Sequence, residues 1–124
     1  MKHLGFLILL IILGTNSNAQ ETELISGTWV FSKVLNEDID ENSLTYLNSQ
    51  VLGKWVFIFK KDGTFESPAL GNPDGQTWKY DSDNKTITVS NAEGITQEFI
   101  VLKSTRDELS LNLGTGKFLL KRVN

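Results

Sequence analysis

From Thr28 to Val123 the chain runs in short apolar/polar alternations punctuated by turn residues. That spacing is the mark of an all-β meander, sandwich or barrel. Eight runs read as strands: Thr28 to Leu35, Trp55 to Lys60, Thr64 to Ser67, Thr77 to Asp81, Thr86 to Ser90, Thr96 to Lys103, Glu108 to Leu113 and Lys117 to Val123. One stretch does not alternate. Glu41 to Leu52 carries Leu44, Leu47 and Val51 at helical spacing behind acidic residues, which predicts a short helix between strands one and two.

The turns set the register. A two-residue Asp62-Gly63 loop would pair Lys60 with Phe65, a charge beside a core aromatic. A three-residue loop, Lys61 to Gly63, pairs Phe59 with Phe65 and Lys60 with Thr64, and this is the expected form. A four-residue loop, Ser82 to Lys85, pairs Tyr80 with Ile87 and Trp78 with Val89. The inward set is then Phe57, Phe59, Phe65, Trp78, Tyr80, Ile87, Val89, Leu109, Leu111, Leu113, Phe118 and Leu120. Strand six is apolar on both faces, and Phe99 with Val101 is taken as its inner pair. Eight antiparallel neighbours with one apolar face predict an eight-stranded up-and-down meander barrel, because closure removes exposed edges.

In such a meander successive connections fall at alternate ends. The two longest, Asn36 to Lys54 and Pro68 to Gln76, fall at one end, while the other end has tight turns. The expected layout is a closed floor and a loop-rimmed mouth able to receive a ligand.

The first 19 residues read as a secretory signal: Lys2 and His3, an apolar run from Leu4 to Leu13, then Ser17-Asn18-Ala19 before a cleavage ahead of Gln20. The run is shorter than the roughly 20 residues a membrane-spanning helix needs. Export to the periplasm or beyond the cell is therefore expected, with no membrane span after cleavage. Removing 19 of 124 residues leaves a domain of 105, Gln20 to Asn124, without cysteine and without histidine. Disulfides, thiol chemistry, histidine-based catalysis and most transition-metal sites are thereby excluded. The formal charge of −3, without a basic block, argues against nucleic acid. No inward carboxylate pair emerges from the pattern, so no enzyme activity and no cofactor is expected. Asp81 to Asn84 starts like a calcium loop, but Lys85 stands where an acidic ligand belongs, and the stretch reads as a turn.

Gly27-Thr28-Trp29, opening the first strand at the floor, resembles the Gly-x-Trp signature of lipocalins. Arg122 in the last strand matches the late arginine that those proteins lay over the signature tryptophan. Phe57 to Phe65, the Trp78/Tyr80 strand, Asp107 to Leu111 and the terminal Leu120-Lys121-Arg122 follow the order found in the lipocalin-like domain of small exported bacterial proteins. The resemblance spans about Leu24 to Val123 and implies the barrel and a small apolar ligand. It lacks the disulfide and C-terminal helix of many animal lipocalins. Within it, Gly27, Trp29 and Arg122 are structural.

The ligand-binding candidates are Trp55 and Trp78 at the mouth ends of strands two and four, together with Phe118, Lys33 and Tyr46. Lys33 follows Trp29 and Phe31 in inward parity, where it would meet a ligand carboxylate; an outward twist of strand one would leave it solvated. Tyr46 and Leu47 would form a lid. The alternative is a filled barrel that contacts a protein partner through the 36–54 loop, with the acidic run Glu37 to Glu41 on its surface.

Overall fold

The structure, a computed structural model, describes residues 17–68 and 75–123. The apolar run of the expected signal, Leu4 to Leu13, lies outside the described residues. In chain order the elements are α1 (Ser17–Ile25), β1 (Gly27–Val34), α2 (Glu41–Gln50), β2 (Val56–Phe59), β3 (Phe65–Glu66), β4 (Thr77–Asp81), β5 (Thr86–Ser90), β6 (Thr96–Ser104), β7 (Glu108–Asn112) and β8 (Lys117–Val123). Eight strands and the helix between β1 and β2 stand where the alternation pattern predicts them.

All strands pair antiparallel in one sheet of order β3-β2-β1-β8-β7-β6-β5-β4. Pairing of β1 with β8 brings the ends of the meander together. The remaining seam, between β3 and β4, is held by the bridge Thr64↔Thr77. There the Phe65 amide donates to the Gln76 carbonyl at 3.0 Å and the Trp78 amide to the Gly63 carbonyl at 2.9 Å. The sheet is thus a nearly closed meander barrel.

The expected hairpin registers are present. Phe59 opposes Phe65, so the β2–β3 turn keeps both rings on the inner face. Tyr80 opposes Ile87 and Trp78 opposes Val89. On β6, Phe99 and Val101 are buried while Ile100 and Leu102 face outward.

The barrel interior is filled by side chains. Phe57 on β2 and Phe99 on β6 stack with centroids 5.3 Å apart and planes 7° from parallel. Those two strands stand four places apart in an eight-strand order, on opposite walls. Rings in contact across the barrel leave no room for a ligand at that level. Phe31 and Phe65 contact the Phe57 ring at 4.9 and 5.2 Å, which extends the aromatic column.

Two features depart from the strand pattern. The first is α1, for which the alternation offered no sign. It lies against β4 and β6 and closes the floor with the fully buried Ile25. Glu21 pairs with Lys85 at 2.7 Å and Glu23 with Lys61 at 3.1 Å, tying α1 to the two floor hairpins. These residues follow the expected cleavage point. Asn18, whose side chain accepts from the Ser82 amide at 2.9 Å, precedes it. The second is an irregularity in β1. Phe31 faces Leu120 on β8, Lys33 faces Leu119 and Val34 faces Phe118. The extra residue between Phe31 and Lys33 is a β-bulge, which shifts the side-chain parity of everything after it.

Candidate functional site

Asn36 to Lys54, the connection from β1 to β2, builds the mouth. Asn36 starts it by accepting the Lys117 amide at 2.8 Å on its side-chain oxygen, which pins it to the β7–β8 turn. Asp40 then caps α2. Its carboxylate accepts from the Ser43 amide at 2.8 Å and the Ser43 hydroxyl at 2.9 Å, satisfying a free amide of the first helical turn. These two bonds, the amide first, hold the Asp40 carboxyl below its ordinary value of 3.8. Past α2 the chain turns sharply, and Val51 plugs into the barrel, 1% exposed. The Gly53 amide donates to the Phe31 carbonyl at 2.7 Å, and the Phe31 amide to the Trp55 carbonyl at 3.0 Å. The end of the connection is thereby fixed to β1.

Between this connection and the barrel rim lies an open cleft of about 620 Å³. Trp55, Phe118, Leu113, Leu47 and Val51 make its apolar wall, and Tyr46 stands at its edge, 57% exposed. Trp55 and Phe118 both lean on Phe31, with centroids 5.7 and 5.1 Å away, so the wall is continuous with the aromatic core. The volume and the mix of apolar wall with a few polar rim groups are those of a small-molecule site.

Three of the five ligand candidates, Trp55, Tyr46 and Phe118, are brought together here. Trp78 is not. Its indole N–H donates to the Lys60 carbonyl at 2.8 Å, and its ring lies 5.2 Å from Phe59. Phe59 opposes Gly27, so Trp78 is at the floor. The physical reason is that β3 has two residues only, so β4 begins beside the β2–β3 turn and not at the mouth. Lys33 is also elsewhere. The bulge in β1 carries it to the exposed outer face and turns Val34 toward the core in its stead. The solvated reading of Lys33 is the one the structure shows.

Gly27, Trp29 and Arg122 meet at the floor. The Arg122 guanidinium lies 4.3 Å from the centroid of the Trp29 ring. It donates to the carbonyls of Ser26, Leu24 and Arg106, joining the end of α1 to the β6–β7 turn. The Trp29 indole N–H donates to the Ile25 carbonyl at 2.7 Å. Together Arg122 and Trp29 satisfy carbonyls that a helix C-terminus leaves open.

Sequence reasoning gave Asp38 and Asp40 only to the acidic run of the partner-contact alternative and not to the ligand site, yet both are on the cleft rim. Asp40 carried a readable signal, an aspartate three residues before a serine at the start of a helical pattern. The Asp81 carboxylate accepts from the Asp83 amide and the Asn84 side chain, so the stretch expected to be a turn is one. Among the described residues no group of three or more acidic, histidine or cysteine side chains is arranged to hold a metal. Nor is any described helix long and apolar enough to cross a membrane. A comparison of the chain with protein-family models, curated proteins and solved structures finds no match in any of the three.

Proposed function

We propose that this is an exported, non-enzymatic, lipocalin-like protein that binds a small ligand with an apolar body at the barrel mouth. The observation that carries the reading is the cleft itself. Trp55, Tyr46 and Phe118 come from three separate segments of the chain and converge on one open space of about 620 Å³. Because Phe57 and Phe99 touch across the barrel, the ligand sits above the core and not within it.

Native mass spectrometry tests this, on the exported protein purified from its own host without detergent. The expected result is a stoichiometric adduct that is lost on denaturation and absent from Trp55→Ala. Trp78→Ala serves as the contrast: it should lower stability by about 3–5 kcal/mol through loss of a buried aromatic, yet keep the adduct while folded. A bare mass from the unaltered protein, or an adduct unaffected by Trp55→Ala, overturns the assignment.

The filled interior supports a second reading, in which the 36–54 connection contacts another protein. Leu44 and Tyr46 on α2 are exposed large hydrophobics beside the acidic run Glu37 to Glu41. A pull-down with residues 37–46 scrambled decides it, since an unchanged set of partners removes that segment from consideration.

A further inference from the structure

The cleft has a chemical polarity that narrows what it admits. Its wall is aromatic and aliphatic, and its rim carries Asp38 and Asp40. No lysine or arginine lines it. The neighbouring cations lie outside its lining. Lys54 donates to the Ser49 carbonyl, Lys33 is on the outer face, and Lys117 lines an adjoining depression with Glu37 that shares Asn36 and Asp38 with the cleft. Ser43 keeps Asp40 ionised without supplying a positive charge. A fatty acid or phosphate would place an anion beside two carboxylates in a cleft that no lysine or arginine lines. An ammonium group gains from both sides: Coulomb attraction from the carboxylates and attraction to the faces of Tyr46 and Trp55.

Building on the assignment of the cleft as the binding site, we infer that its ligand class is a small organic cation. The ligand would be an ammonium or quaternary ammonium head on a compact aromatic or alkyl body. The body lies against Trp55 and Phe118, and the head lies between Tyr46 and the carboxylates of Asp38 and Asp40.

Three probes of similar size and different charge test this: benzyltrimethylammonium, benzyl alcohol and phenylacetate. The readout is the set of tryptophan indole N–H signals in a nitrogen-15 correlation spectrum. Trp29 and Trp78 donate to internal carbonyls and serve as built-in controls, while Trp55 reports on the cleft. The expected result is a selective shift of Trp55, with the cation binding about fivefold or more tighter than the other two probes. Asp38→Asn and Asp40→Asn should each weaken the cation by about threefold to tenfold and leave benzyl alcohol unchanged, since asparagine caps a helix as well as aspartate does. If benzyl alcohol or phenylacetate shifts Trp55 at equal or lower concentration, the cation class is wrong while the cleft assignment stands. If none of the three shifts Trp55 at millimolar concentration, the cleft assignment falls with it.

Discussion

Gly27 is required by a neighbour as much as by its own backbone. Its φ of +132° lies where side chains are strained, and a Cβ there would collide with Nη1 of Arg122. The guanidinium can reach Ser26 and Leu24 and still cover Trp29 only because that position has no side chain. Arg122→Ala removes three hydrogen bonds and the contact with the indole, and should cost about 2–4 kcal/mol. Gly27→Ala should cost about 1–3 kcal/mol, from strain and from displacing the same guanidinium. Because both act through one contact, the double variant should lose clearly less than the sum of the two. Denaturant unfolding of the four proteins measures this, and full additivity would mean that Gly27 does not serve Arg122. The same scale shows what a residue pattern can mislead about. Lys33 had inward parity by counting, and one inserted residue in β1 reversed it.

At the scale of elements, the two helices stand at opposite ends of the barrel and are held there by different means. α1 has Leu24 and Ile25 as its large apolar residues, and its hold on the floor comes from Ile25, Arg122 and the pairs to Lys61 and Lys85. Exposed pairs of this kind are individually weak. α2 has no fully buried residue, so its position depends on Leu47, which packs part-buried against the core, on its cap and on the Val51–Gly53 turn that follows. The cap makes the cleft acid-sensitive. Asp40 has a folded value depressed below 3.8, so its contribution is complete above that pH and is lost as pH falls through the depressed value. The Ser43 amide resonance should therefore titrate with a midpoint below 3.8, and the titration should vanish in Asp40→Asn with α2 intact. A midpoint at or above 3.8 would show that the capping bonds do not persist in solution.

Taken together, the described residues form an aromatic-filled, nearly closed barrel, and its stability resides in that fill. Phe57 touches Phe31, Phe59, Phe65 and Phe99, and so links walls that are not adjacent in the sheet. Phe57→Ala or Phe99→Ala should each cost about 3–5 kcal/mol, and the pair should fall short of additivity because the rings are in contact. Thermal unfolding checks this. A loss under about 1 kcal/mol from either would mean that the column is loosely packed and that the interior can open to a ligand. Surface variants such as Ile100→Thr, on the outer face of β6, should change little by comparison.

What the linear order of residues determined here is local and periodic. Alternation of period two specified the strands and their inner faces, because successive side chains must point to opposite sides. Turn length at Lys61 to Gly63 and Ser82 to Lys85 specified two registers, because opposed residues must share a face. Spacing of Leu44, Leu47 and Val51 marked α2. What tertiary structure decided is everything that depends on stagger and on contact between distant segments. A two-residue β3 let β4 slide down beside the β2–β3 turn, which took Trp78 from the expected mouth to the floor. A bulge in β1, set by pairing with β8, turned Lys33 outward. α1 folds against strands far from it in sequence, and its own composition carries no strong periodic signal. The cleft exists because the 36–54 connection, which carries the rim aspartates and Tyr46, meets Trp55 at the entry to β2 and Phe118 on β8, and no local pattern encodes the distance between those three parts.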